Sequence, residues 1–527
     1  MSGSPITLPP DYWESLQLND QDIEYLYNYL LETETPCPIN EIAKLLIEDR
    51  VGREKFTLAA RQNDTGNLFS PKNDYQVGET VIFPALGWRK GEVIGKRQGH
   101  NPDTTDLQVI QVALENGKVS EFASNLPVHK LNDAPKIQDE SGMLDPEAVF
   151  GKYGALIARK IDAQLESGED FVRIAGSWFP KALLVDINTG HLNLVEAVLD
   201  MSGGGPLSTS QLLEAVGIPL EGNSSLNEFS LDYALWQDER FDEVGPAGQI
   251  LWYLHRLEPA EVLETPALLK YHPIEYNQAD IHPEMLEFGY KLDDELSDIN
   301  GDPTATPDEL EVRLIYPHWR AGTLPLSHRL SPFFPTAYQA PRIRFMLVNG
   351  ETGKKFPGWV VRGPRYVYGL KEFYAENDVF PGSILTIKRG AVPGEVIIKA
   401  NTKREVREWL RTVLIGSDGN LVLAMLKQRA STFFDDRMAI AVPEPDALDA
   451  VWEKNRKEKT PVEKIVVKTL RDLSKLTPQG NVHFSELYAA VNLSRRIPPG
   501  PLLALLNTRP GFTYVGNHHY KLDDAEK

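Results

Sequence analysis

Cysteine is almost absent. Cys37 is the single one in 527 residues, which excludes an intrachain disulfide framework and any cysteine-rich zinc finger. Set between Pro36 and Pro38, it reads as a small loop residue rather than a reactive thiol. No apolar run reaches the about eighteen residues that a membrane-spanning helix needs. The opening stretch, MSGSPITLPPDYWESLQLND, has no basic region followed by an apolar core, so it does not read as a secretory signal. Positive charge is scarce as well: 55 Lys and Arg stand against 75 Asp and Glu, for a formal net charge of −20. Catalytic patterns are missing too, with no G-x-x-x-x-G-K-[ST], no G-x-G-x-x-G opening a helix, no G-x-S-x-G and no H-E-x-x-H. The acidic pairs Asp238-Glu239, Asp242-Glu243 and Asp435-Asp436 lack the closely spaced lysine of a strand-borne nuclease site, and read as solvated acids. His518-His519 is the one adjacent histidine pair, and it has no evident third metal ligand. The expectation is a non-enzymatic, cytoplasmic protein, nucleoid-associated if bacterial, with no cofactor, no metal and no membrane partner.

What is present is an ordinary globular composition, 42% hydrophobic and 25% charged, in a chain too long for one core. The charge is unevenly spread. Between Glu311 and Arg411 there are 17 Lys and Arg against 8 Asp and Glu, an excess of +9, so the remainder carries −29. That asymmetry suggests a basic surface held in an acidic frame.

Punctuation divides the chain into segments, and the expected fold class is multidomain α+β. Residues 11–74 are helical, with Leu26, Tyr27, Leu30 and Leu31 at helical spacing and Ile42, Leu45, Leu46 and Ile47 after the Pro36-Cys37-Pro38 break. Residues 75–131 alternate in period two between Gly, Asn and Asp turns. Residues 151–260, after an N-terminal extension to about Gly190, and residues 456–524 share one order: amphipathic helix, break, two further helices, then two short strands. Residues 311–400 are strongly β, residues 401–455 form an α/β connector, and 132–150 and 291–309 are polar linkers.

Several of these segments resemble known families. The helix–helix–helix–hairpin order of 190–254 and 461–522 resembles winged helices, the second of the HARE type, and 11–74 resembles the opening of one with no wing after it. The pattern V-G-E-T-V-I-F followed by K-G-E-V-I-G-K resembles a Tudor/KOW-type small barrel. In the basic segment, Trp359, Tyr366, Leu370, Lys371, Phe373, Asn377, Val379, Gly382, Ser383 and Leu385 stand where the DNA-binding pseudobarrel of the plant B-three and restriction-endonuclease type has its motif. Leu370 replaces an expected aromatic and Ser383 an expected acid. The resemblances imply winged helices combined with a small β-barrel and a pseudobarrel.

The basic residues supply the chemistry. Lys and Arg neutralise phosphates, and Arg can pair bidentately with guanine edges. Arg342 and Arg344 lie two apart on one strand face. Lys354 and Lys355 sit at a turn, Arg362 and Arg365 bracket Gly363-Pro364, Lys371 precedes the end of a short helix at Asn377-Asp378 and a Pro381-Gly382 turn into a strand, and Lys388-Arg389 ends a strand. Thr402 to Arg411 reads as a helix whose Arg404, Arg407 and Arg411 form one basic stripe. These residues are the expected duplex-DNA interface, of a transcription regulator or chromosome-associated factor. The competing readings are a protein-interaction scaffold such as an RNA polymerase accessory factor, and the recognition subunit of a restriction or defence system. Protein partners from the transcription or defence machinery belong to those readings.

Overall fold

A computed structural model describes residues 8–9, 11–63, 68–83, 86, 89–100, 107–115, 117–129, 132, 142–217, 223–299, 307–392, 394–417 and 419–523. The architecture is multidomain α+β, divided into two compact units: residues 1–185 with 221–229, and residues 186–220 with 230–527.

In the first unit, Asn19 caps the helix Asp20–Thr33 through the backbone N–H of Asp22, whose carboxylate returns the bond to the Asn19 N–H. The two-residue strand Cys37–Pro38 leads into the helix Ile39–Asn63. Cys37 is therefore not a loop residue: it is buried, pairs with Trp178, and burial pushes its thiol up to about 11. The chain then leaves to build a four-stranded antiparallel meander over Thr80–Phe83, Arg89–Gln98, Gln108–Leu114 and Val119–Ser124. Its alternating Val81, Phe83, Val93, Ile110 and Val112 fill one face, with Phe69 stacked on Phe83 at 4.7 Å. Only afterwards do a third helix, Pro146–Ser167, and the hairpin Phe171–Ile174 with Ser177–Pro180 arrive, the last strand pairing back to Cys37–Pro38. The hairpin that residues 11–74 lack is thus supplied further downstream, from Phe171, beyond an inserted β domain.

The same order of one helix, a short strand, two helices and a hairpin recurs twice. The second copy comprises Thr189–Met201, Leu207–Ser208, Thr209–Val216, Ser224–Trp236, Phe241–Glu243 and Leu251–Leu254. The third comprises Val462–Ser474, Val482–His483, Phe484–Val491, Pro499–Thr508, Phe512–Gly516 and His519–Leu522. In all three the last strand lies between the other two.

Between the second and third copies, the second unit holds a curled seven-stranded sheet. From one edge its strands are Glu309–Arg313, Ile384–Arg389, Glu395–Ala400, Arg342–Asn349, Lys355–Val361, Tyr366–Tyr368 and Thr323–Pro325. The short helix Lys371–Glu376 is capped by Asn377, and the chain turns at Pro381-Gly382 into the next strand. Gly382 has φ +97°, and a Cβ there would lie 2.3 Å from the Ala439 Cα, so glycine is required on both counts. Ser383 is fully buried and shares a hydrogen bond with Thr432 at 3.1 Å, a packing role for the residue that replaces the expected acid.

Two sequence expectations fail here. Thr402–Ile415 is a strand, paired along most of its length with Leu421–Thr432 in a long hairpin. The alternation of Val406, Glu408 and Leu410 with Arg407, Trp409 and Arg411 fits a ribbon, and pairing with a β-rich partner segment overrode the helical spacing of the arginines. The acidic stretch around residues 293–299 is not a solvated linker either. Asp294 and Glu295 are buried on Arg496, at 2.7 and 2.8 Å, and Asp293 on Arg329 at 3.1 Å. The arginines that neutralise them lie far along the chain, beyond the reach of local composition. Nor is the end of the other expected linker, 132–150, a linker: residues 142–150 turn into the helix Pro146–Ser167, with Leu144 and Val149 buried, while residues 133–141 and 300–306 lie outside the described residues.

Candidate nucleic-acid interface

The twelve basic positions fall into three structural groups. The first is internal. Arg342, on the strand Arg342–Asn349, points its Nη2 at Asp242 (2.6 Å) and sets its Nε 2.8 Å from the fully buried Glu258 carboxylate. Arg344 shares that strand face but lies over the Tyr253 ring at 5.4 Å, and burial lowers its pKa. Arg411 donates to the carbonyls of Asp436 and Arg437 and is paired with Glu486. The second copy's hairpin therefore covers the strand face on which the sequence places its leading DNA contacts.

The second group is exposed but already held. Lys354 pairs with Glu376 at 2.7 Å and Lys355 with Glu395. Arg362 donates to the Ala340 carbonyl at 2.8 Å, and Arg389 to the Pro332 carbonyl at 3.0 Å while lying 5.9 Å from the Phe333 ring centre. Surface pairs of this kind contribute little stability and exchange readily with solvent or a ligand.

The third group, Arg365, Lys371, Lys388, Arg404 and Arg407, has no ion pair among the described residues. Arg365 sits in the left-handed region, with φ +58°, at the loop it was expected to occupy. The three-arginine stripe does not form as expected: Arg407 and Arg411 share a ribbon face, while Arg404 lies in the irregular stretch between Thr402 and Val406.

The ribbon contains the signal that the sequence reading missed. Its ends are tied down: Arg411 and Thr412 pair with Ile440 and Ala441, while Leu421 and Leu423 enter the C-terminal core. Its middle is open on the face of Arg407 and Trp409, while on the other face Leu410 and Ala430 are buried with Ala439. Register places Arg407 opposite Arg429 and Trp409 opposite Lys427. Lys427 lies 5.5 Å from the Trp409 ring centre, and Trp409 is 62% exposed. One ribbon face thus presents three cations and an indole against one acid, Glu405, which reaches Arg429 at 3.4 Å. Directly opposed like charges destabilise a strand pair; an anion laid over Arg407 and Arg429 would remove that cost. The signal lay in the period-two spacing of Glu405, Arg407 and Trp409, hidden by the helical spacing of Arg404, Arg407 and Arg411. Beside the ribbon, Lys371, Arg320, Tyr374, Gln428 and Arg429 line a concavity of about 560 Å³.

The acidic pairs are not solvated as a class. Asp242 holds His255 at 2.5 Å as well as Arg342, and burial pushes Glu243 up to about 7. Asp238 is engaged by Arg240, and Asp435 by Arg313 at 3.3 Å. Among the described residues, Asp242, His255 and Glu258 are the one His/Asp/Glu group with ligand atoms mutually within 4.8 Å, and the Arg342 guanidinium already supplies positive charge to it. His518 and His519 do have a third imidazole nearby, the buried His483, at ring separations of 5.7 and 5.0 Å, but they do not form such a group with it.

Burial pushes Glu258 up to about 8, against the pull of Arg342 and with the help of Asp242. A carboxyl raised above its unfolded value contributes stability that is full below about pH 4.5 and is lost as the pH rises through 8. The second unit is therefore expected to melt lower at pH 8.5 than at pH 5.5 by about 3 °C or more. Glu258→Gln should remove most of that difference in a calorimetric scan; a profile parallel to the wild type would show that Glu258 is not the titrating group.

No helix among the described residues is long and apolar enough to cross a membrane. No family model, curated protein or solved structure matches this chain.

Proposed function

We propose that the chain is a modular, non-enzymatic DNA-binding protein, a transcription regulator or chromosome-associated factor, that meets duplex DNA through the exposed part of its basic β region. The observation that carries this reading is the open ribbon face of Arg407, Trp409, Lys427 and Arg429. A two-stranded ribbon fits the major groove, and opposed guanidiniums suit a backbone of phosphates. Reading the three helix–strand–helix–helix–hairpin copies as winged helices and the seven-stranded sheet as a B-three-like pseudobarrel supports the proposal, since such folds serve nucleic-acid binding. The four-stranded meander fits the Tudor/KOW-like reading in the same way.

Fluorescence anisotropy with a labelled duplex across a salt series tests it. Binding should weaken with a steep negative log–log slope. Reversing Arg407, Lys427 and Arg429 to Glu should cut affinity at least tenfold and reduce the slope by about 3, with unfolding unchanged. Absence of binding at low salt would sink the reading. A second reading, protein docking, draws on the apolar Val406, Met425 and Leu426 exposed on the same ribbon; it expects those residues, rather than the cations, to govern partner capture.

A further inference from the structure

A second basic site lies outside residues 311–411. Lys270 and His272 follow the short turn Ala267–Leu269, Arg456 ends the helix Pro445–Lys457, Lys459 follows it, and Arg495 follows the helix Phe484–Val491. These segments converge on a concavity of about 480 Å³ whose wall includes Trp452, and none of its lining residues is acidic. In a chain of net charge −20, such a wall calls for an explanation. Compensation of a helix dipole accounts for Arg456 at the end of its own helix. It extends to Lys459 just past that helix, but it does not account for Lys270 and His272, which come from another segment, or for their convergence with Arg495.

The cations are unevenly satisfied. Arg456 has Glu453 at 2.9 Å and Lys270 has Glu264 at 2.6 Å, both exposed pairs at the rim. Arg495 is half-buried and donates to the Thr460 carbonyl at 2.6 Å; no carboxylate faces it among the described residues, and burial lowers its pKa. Lys459 is exposed and has no ion pair among the described residues. Deeper in the wall, Arg496 is 2% exposed, and its Nε–H has no acceptor although its other nitrogens are bonded. A half-buried guanidinium without a counter-charge and an orphaned buried N–H both gain from an anion. The volume suits a nucleotide-sized group rather than a bare ion, and Trp452 offers apolar wall to a ring.

We propose that this pocket binds a nucleotide through its phosphate ester, with Arg495 and Lys459 on the phosphate and Trp452 beside the base. The phosphate can belong to a free mononucleotide or to a unit of a strand. The site is independent of the ribbon and does not rest on the duplex-binding reading.

Isothermal titration of the full chain with adenosine monophosphate, adenosine, inorganic phosphate and a twelve-nucleotide single strand tests the assignment. Adenosine monophosphate should bind, adenosine should not, and Lys459→Ala and Arg495→Ala should each weaken binding at least tenfold. Because Arg495 also holds the Thr460 carbonyl, the exposed Lys459→Ala keeps the test open should the other variant fold poorly. Binding of the single strand alone, lost in the same variants, supports the site with the strand as its source. The ribbon triple reversal should leave all of these affinities unchanged, which separates failure here from failure of the duplex reading. Inorganic phosphate binding as tightly as the nucleotide, no binding by any probe, or affinities indifferent to both variants would overturn the proposal.

Discussion

Arg496→Ala is expected to lower the stability of the second unit by about 3–5 kcal/mol, the usual cost of removing one member of a buried ion group. Arg496 is buried with both of its acids. Its Nη2 bonds Asp294 and Glu295, and its Nη1 bonds Asn492 Oδ1 and the Ile497 carbonyl, each at 3.2 Å. Tyr488 donates to Asp294, and His318 sits 2.8 Å from Glu295. The group therefore joins the segment before the seven-stranded sheet to the C-terminal helices. Without the guanidinium, two carboxylates stay buried with only the Tyr488 hydroxyl and the His318 imidazole beside them. Burial alone would raise the Glu295 carboxyl, but Arg496 and His318 more than offset it and hold it below the usual carboxylate range. Its contribution is present above the unfolded value and lost as the pH falls below it, so acid should unfold the wild type in a step that the variant lacks. Urea unfolding followed by far-ultraviolet circular dichroism checks both; a loss under about 1 kcal/mol would mean that packing, not this group, holds the segment.

Arg342→Glu is the second large effect, again expected at about 3–5 kcal/mol or more. It would set a carboxylate between Asp242 and the buried Glu258 carboxyl in place of the one guanidinium that serves both. Arg344→Glu would bury a negative charge against the face of Tyr253, where the ring repels it. The sequence alone predicts that reversing this pair abolishes DNA binding in a folded protein. The structure predicts lost binding together with lost stability, whereas the ribbon reversals should separate the two. Melting curves and anisotropy measured on the same preparations decide it. If Arg342→Glu melts like the wild type and still loses DNA, the strand face itself is the interface.

Much of the fold was legible because local chemistry announces it. The Phe373 helix ending at Asn377-Asp378 and the Pro381-Gly382 turn depend on neighbouring residues, and each falls where the sequence places it. The hairpins of the second and third copies were equally plain. What failed was long-range. Nothing near Arg342 reveals Asp242 and Glu258, and nothing near Asp294 reveals Arg496, so solvated charge and buried ion group look alike in one dimension. The ribbon was misread because Arg404, Arg407 and Arg411 satisfy a helical spacing while their neighbours satisfy a strand, and the pairing partner decides. The basic pocket escaped for the same reason as the ion group: its cations come from three separate stretches of chain.

The β meander set between the second and third helices of the first unit has a consequence for biogenesis. Cys37 can meet Trp178 only after about 140 further residues have been added, a closure whose entropic cost grows slowly with length but whose wait is set by translation. The meander, by contrast, pairs neighbouring strands and can form while the ribosome is still working. The protein should thus emerge with its inserted domain finished inside an unfinished host, and until Pro180 leaves the exit tunnel the helix Ile39–Asn63 keeps an apolar side uncovered for a chaperone to find.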